Sequence, residues 1–211
     1  MVSFPRISHR IVWMVLLVTV AGHAAPASEK QIIADKPKLD AASLELDGPT
    51  NLLVLTDVRI STQSGYVIKA GQARTTDANN FNNSTWNFTN KVEITTPDGS
   101  SKADTASVSF VGNQISTLHI TGNPATFEQH DGDKIIAQGH ADNIDYDLQQ
   151  HTVRLMNNAW VSYGQNECRA VVLVYNITLQ RVSANRADQQ GERINCTITP
   201  ASNTETKADS P

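Results

Sequence analysis

The amino-acid sequence predicts an all-β protein built as a stack of antiparallel strands, and three observations carry that prediction. The hydrophobic period is two rather than 3.6, with no sustained i, i+3, i+4, i+7 stripe after residue 25. Turn dipeptides of the kind that join short antiparallel strands separate the alternating segments. The segments also repeat imperfectly, which suits rungs stacked along an axis, each burying its face against its neighbours. A closed sandwich with no true repeat is the alternative that the same pattern leaves open.

The elements follow in chain order. Arg6, His9 and Arg10 precede the apolar run Ile11–Val20, and small residues follow at Ala21, Gly22, Ala24, Ala25 and Ala27. Residues 1–25 are therefore expected to be a cleaved secretory signal peptide. The run is well short of the ~20 residues that span a bilayer, although an uncleaved anchor is the competing reading. Residues 26–36 follow as an N-terminal segment in which "QIIAD" (31–35) reads as an edge strand, or else as a mobile stretch behind the leader.

The main domain is expected over residues 37–200. Its strand candidates are "LLVLTDVRIS" (52–61), "VSF" (108–110), "STLHIT" (116–121), "NIDYDL" (143–148), "TVRLM" (152–156), "AWVSY" (159–163), "AVVLVYNITL" (170–179) and "INCTIT" (194–199), all rich in β-branched or aromatic residues. Asp47-Gly48-Pro49, Ser64-Gly65, Pro97-Asp98-Gly99, Gly112-Asn113, Gly122-Asn123-Pro124, Asp131-Gly132-Asp133, Asn157-Asn158 and Gln190-Gly191 read as the turns between strands. The repeat sets Phe110 against Tyr146 and Ala125-Thr126-Phe127 against Ala159-Trp160-Val161. Tyr146 and Val153 recur 29 positions on as Tyr175 and Val182. The tail 201–211, "ASNTETKADSP", lacks large apolar groups and is expected to be disordered.

Charge and cysteine usage narrow the function. The chain carries a net charge of −4, and losing residues 1–25 removes Arg6 and Arg10 but no acidic group. An acidic exported chain is a poor partner for nucleic acid, whose phosphates call for a basic surface. Cys168 and Cys196 are the only cysteines. Their separation of 28 is close to the 29-residue repeat, which would put them at nearly equivalent places on neighbouring rungs, so a disulfide between them is expected. Two thiols without C-x-x-C or H-x-x-x-H spacing do not suggest zinc, and no other metal or cofactor is expected.

Enzymatic readings find little support. His130, His140 and His151 lie near Asp131, Asp133, Asp142, Asp145 and Asp147, a set that invites acid/base or metal chemistry. Asp145 and Asp147, however, alternate with Ile144, Tyr146 and Leu148 and so point to solvent. "DGD" (131–133) lacks the ligand series of a calcium loop, and there is no G-x-S-x-G and no P-loop.

"GNPATFEQ" (122–129), "GHADNIDYDLQQHTVRLMNNAWV" (139–161) and "NLLVLTDVRISTQSG" (51–65) together resemble the OstA-like family of periplasmic lipopolysaccharide-transport proteins. The resemblance covers roughly residues 31–200 and is most specific in the G-x-P-A-T-F, G-H-A and Y block at 122–146. It implies an open, twisted β-jelly roll whose inner face binds acyl chains and whose ends pair edge to edge with similar domains. Residues 76–90, "TDANNFNNSTWNFTN", form a longer polar insertion than the family pattern, and the cysteine pair is not a general family feature.

The physical reading runs parallel to the resemblance. Each exposed CH₂ of an acyl chain costs roughly 0.8 kcal/mol in water, and a continuous apolar trough removes that cost. Alternation and the family match together nominate Leu44, Leu46, Leu53, Leu55, Phe110, Phe127, Ile144, Tyr146 and Leu148 as the lipid-binding face, with a filled core as the alternative for each. Gln31, Ile32 and Ile33 are nominated as a docking edge, because an open strand edge offers unpaired N–H and C=O groups.

What the resemblance implies is a non-enzymatic protein that binds lipopolysaccharide and bridges the two membranes. Its implied partners are LptC-like and LptD-like proteins, and head-to-tail self-association is expected. The anchored LptC-like role and a secreted β-repeat scaffold without lipid binding remain as alternatives.

Overall fold

The computed structural model describes residues 37–77, 83–112 and 114–199, all within the unit Ala34–Pro211. The expected leader, the edge residues Gln31, Ile32 and Ile33, and the tail 201–211 lie outside the described residues. Those residues form eleven antiparallel strands: β1 (Lys38–Asp47), β2 (Leu52–Ser61), β3 (Val67–Thr75), β4 (Asn83–Thr96), β5 (Gly99–Val111), β6 (Gln114–Asp131), β7 (Lys134–Asp147), β8 (Thr152–Tyr163), β9 (Asn166–Asn176), β10 (Arg181–Ser183) and β11 (Asn195–Thr197). β1 to β10 pair in chain order as one meander, and β11 returns to pair with β9. A short 3-10 turn, Arg186–Gln189, lies between the last two strands.

One line of bulges divides this sheet. Register shifts fall between Lys69 and Gln72, Thr89 and Val92, Lys102 and Thr105, Thr121 and Ala125, His140 and Asn143, and Met156 and Ala159, so β3 to β9 are each interrupted near the middle. A bulge bends its strand, and a line of bulges creases a sheet. The strand halves that run to the turns at 48–51 and 148–151 make an upper layer. Those that run to the turns at 62–66, 97–98, 132–133 and 164–165 make a lower layer folded against it.

The interior is laid out in rows of cross-strand partners. In the upper layer Leu44, Leu55, Ala73, Phe88, Ala106, Ile120, Ile144, Leu155 and Leu173 form one unbroken row from β1 to β9. In the lower layer the row runs Leu39, Ile60, Ile68, Ile94, Ser101, Phe127, Gly139, Val161, Cys168 and Cys196. Beside the crease the inward residues are Ala41, Val58, Ala70, Val92, Ala103, Ala125, Ala141, Ala159 and Ala170. Two layers converge at a fold line, and the side chains there are small, alanine at most positions and valine at 58 and 92. Away from it the large aliphatic and aromatic groups are buried, each contributing roughly 1.5–3 kcal/mol.

Two sequence expectations are corrected here. Gly122-Asn123-Pro124 and Asn157-Asn158 are not hairpin turns: each lies within a continuous strand, β6 and β8, at the crease. Asn157 and Asn158 have φ of 62° and 53°, a conformation asparagine adopts readily, and it supplies a bulge here as it would supply a turn elsewhere. The stretch read as a polar insertion also changes character. Its residues from Asn83 on begin β4, where Ser84, Trp86 and Phe88 alternate inward and are buried.

Candidate functional site

The two layers meet at a mouth opposite the crease, and Phe127 sits behind it. Phe127 belongs to the lower half of β6, yet its ring packs edge-on against Tyr146 of the upper layer at 6.5 Å and tilted against Tyr175 at 6.0 Å. It is 2% exposed. Gly139 lies opposite it on β7 and makes room for the ring.

Two hydrogen bonds clasp the layers on either side of Phe127. The Tyr175 hydroxyl donates to Gln129 Oε1 at 2.6 Å, and the hydroxyls of Ser101 and Tyr146 are bonded at 2.7 Å. In both pairs the tyrosine comes from the upper layer and its partner from the lower. Burial pushes the Tyr175 phenol up to about 12, with the neighbouring Tyr163 adding to the rise. Burial raises Tyr146 further still, and the Ser101 bond only partly offsets it. Both phenols therefore stay neutral and available as hydrogen-bond donors at any physiological pH.

A small cleft of about 120 Å³ opens beside Phe127. Tyr66, Pro97 and Gly99 border it from the lower layer, and Leu148, His151 and Ile177 from the upper. The wall is apolar and the rim polar, which suits an aliphatic chain with a hydrophilic head. Burial, reinforced by Asp98, raises the Tyr66 phenol, so this rim residue is neutral as well.

The nominated lipid-facing residues divide into three groups. Leu53, Leu55, Phe110, Phe127 and Ile144 are buried between the layers. Tyr146 and Leu148 are half-buried and line the cleft together with Phe127. Leu44 and Leu46 pair with Leu55 and Leu53 and so share the inner face, but they are 63% and 52% exposed because nothing among the described residues covers them.

Sequence reasoning did not nominate Tyr175, Ser101 or Gln129. Tyr175 was within reach, since the repeat aligns it with Tyr146 and the two lie in one row through Val153. Ser101 and Gln129 carry no comparable signal.

The titratable residues considered for chemistry are dispersed. His119 pairs with Asp145, and His130 Nε2 lies 3.2 Å from Glu128. His140 stacks on Trp160 at 5.1 Å, where burial and the Arg169 charge lower its pKa. Among the described residues no group of three or more His, Cys, Asp or Glu is placed to share a metal ion. Cys168 and Cys196 form a disulfide, directly opposed on β9 and β11 with Cα atoms 4.1 Å apart.

Comparison with known proteins places this geometry in context. Residues 38–181 match the family model described as "LptA/(LptD N-terminal domain) LPS transport protein". The lipopolysaccharide export system protein LptA of Haemophilus influenzae is 23% identical over 184 residues, covering 85% of this chain and 86% of that protein. The crystal structure of LptH, the LptA-homologous periplasmic component of the lipopolysaccharide transport device of Pseudomonas aeruginosa, matches with a TM-score of 0.48 at 21% identity, over 78% of this chain and 95% of that one.

Proposed function

Because the chain belongs to the LptA/(LptD N-terminal domain) family of lipopolysaccharide-transport proteins, we propose that it holds the acyl chains of lipopolysaccharide between its two layers and passes them along the sheet from inner to outer membrane. The single observation that supports this reading most is the inner face itself. Its upper apolar row runs from Leu44 to Leu173 without a charged residue, and at the β1 end Leu44 and Leu46 stand uncovered. A row of that kind offers the lipid a path rather than a single pocket.

Leu44, Leu46, Leu53, Leu55, Phe110, Phe127, Ile144, Tyr146 and Leu148 are the acyl-contacting set in this reading, and the clasped mouth parts to admit the chain. The work is binding and transfer, with no catalytic step. The protein acts in the periplasm after loss of residues 1–25, with residues 37–200 as the working domain. It docks edge to edge with LptC-like and LptD-like domains and with copies of itself, and Gln31, Ile32 and Ile33 extend the N-terminal edge.

Photo-crosslinking tests the reading. A photoreactive residue at position 127 is expected to label lipopolysaccharide in cells, whereas one at Arg74, on the outer face, is not. Equal labelling at both positions, or none at 127, would overturn the groove. Intact mass of the periplasmic protein checks the leader, since retention of residues 1–25 would indicate the anchored role instead.

A further inference from the structure

On the outside of the lower layer, planar side chains stand in a row one strand apart. His140 of β7, Trp160 of β8 and Arg169 of β9 are cross-strand partners, and they alternate with Gly139, Val161 and Cys168 of the inner row, so they point away from the interior. The His140 ring stacks on Trp160 at 5.1 Å, close to the spacing of neighbouring strands. From the β9 side the Arg169 guanidinium lies 5.8 Å from the centre of the same indole. Glu167 braces this stack, accepting a hydrogen bond from Trp160 Nε1 at 3.2 Å and pairing with Arg169 at 3.9 Å. Burial and the Arg169 charge lower the His140 pKa, so the imidazole that ends the stack is neutral at neutral pH.

The row itself does not end there. It continues to Thr126 of β6 and Lys102 of β5. Threonine is short, and it leaves a gap between the imidazole face and the lysine. β5 and β7 lie two strand spacings apart, about 10 Å, so the gap over Thr126 has room for one ring as the next member of the stack. A cleft of about 390 Å³ occupies this place, with Ser100, Glu128 and Gln138 along its side nearer the mouth.

The groups around the gap select what fits it. A sugar ring offers a face of C–H groups to the imidazole and a rim of hydroxyls to Ser100, Thr126 and Gln138. A wholly apolar ring would leave those polar groups desolvated and unpaired. Lys102 has no ion-pair partner among the described residues, whereas Glu128 is engaged along its own strand by His130. The lysine therefore calls for an anionic substituent on the sugar. Position narrows the source: Ser100 and Glu128 border both this gap and the cleft beside Phe127. Only four residues of β5, about 14 Å, separate Lys102 from the turn at Pro97 and Asp98 on the rim of the mouth.

We propose that the gap over Thr126, walled by His140 and Lys102, binds one acidic sugar in the saccharide head of the lipopolysaccharide whose acyl chains enter beside Phe127. The source of that sugar rests on the proposed function; the geometry of the site does not. An apolar interior accepts any aliphatic chain, and the outer site supplies a preference for a chain that carries a charged saccharide.

Proton–nitrogen correlation spectra of the periplasmic protein, titrated with the fully deacylated, phosphate-bearing oligosaccharide of a lipopolysaccharide, test this. The Trp160 indole N–H, identified by its loss in Trp160→Phe, is the reporter, and the buried Trp86 indole is the internal control. Saturable shifts at Trp160 and none at Trp86 are expected at millimolar oligosaccharide or below. His140→Ala and Lys102→Ala should each weaken binding about fivefold or more, and removing the phosphates should weaken binding to the wild type but not further to Lys102→Ala. Thr126→Tyr supplies a ring to the gap from within the chain at a position where a strand tolerates an aromatic residue. It should abolish oligosaccharide binding yet leave uptake of a fluorescent fatty acid, which has no sugar, as in the wild type. Absence of saturable shifts at Trp160, equal binding of an uncharged glucan, or undiminished binding in Thr126→Tyr would each overturn the site. Should that variant fail to fold, binding unchanged in both His140→Ala and Lys102→Ala would overturn it instead. A wild type that binds the oligosaccharide but not the fatty acid would refute the groove and leave the sugar site standing.

Discussion

The ring of Phe127 lies over the α-carbon of Gly139, so closely that a Cβ at position 139 would stand 2.4 Å from Phe127 Cε1 and 2.7 Å from the Trp160 carbonyl oxygen. The pair links two parts of the most specific sequence block, the phenylalanine of "GNPATFEQ" and the glycine of "GHA". Gly139→Ala is therefore expected to destabilise by about 1–3 kcal/mol through overpacking. Phe127→Leu in the same chain should recover part of that loss. Urea unfolding of the single and double variants measures the coupling, and simple additivity would show that the contact is not what excludes a side chain at 139.

The clasp should trade stability for access. Tyr146→Phe and Tyr175→Phe each remove a hydrogen bond between the layers, worth about 1 kcal/mol net. The double variant is expected to melt a few degrees lower and to take up a fluorescent acyl lipid faster than wild type. Slower uptake, or uptake unchanged despite the lower melting temperature, would mean that the chain enters by another route.

Alkaline pH should report the same tyrosine. The Tyr175 phenol titrates at about 12 in the folded protein and at an ordinary value near 10 once unfolded. Its contribution is fully present below pH 10, where both states hold the proton, and is lost as pH rises towards 12, because the unfolded chain releases the proton first. Wild-type stability is thus expected to fall between pH 10 and 12 more steeply than that of Tyr175→Phe. Parallel curves in denaturant midpoint against pH would contradict the assignment.

Leu44 and Leu46 should behave unlike the rest of their rows. Both are largely exposed, so Leu44→Asn/Leu46→Asn is expected to leave unfolding within about 0.5 kcal/mol of wild type. Transfer of lipid from one loaded copy to another should nonetheless slow markedly. A large loss of stability would show that these leucines are already covered, and unaltered transfer would remove them from the path.

The sequence by itself determined which face each residue takes. Alternation is local, set by the pleat, and it assigned Leu53, Leu55, Phe127 and Ile144 inward and Asp145 and Asp147 outward before any partner strand was known. Cys168 and Cys196 are bonded as expected, but the 29-residue step does not bring them together: from Tyr146 to Tyr175 it crosses two strands, from β7 past β8 to β9, whereas the cysteines meet because β11 returns to pair directly with β9. Tertiary structure alone decided the rest. Whether Asn157-Asn158 turns the chain back or merely bends it depends on the strands alongside, which must bulge at the same level for a crease to form. Trp86 and Phe88 sit among so many polar neighbours that only their register with Ala73, Ala106 and Val108 shows them to be core. The offset between the layers, which brings Gln129 to Tyr175 and leaves Leu44 and Ile198 uncovered at opposite ends, is a property of how two twisted halves of one sheet close on each other, and no local pattern encodes it.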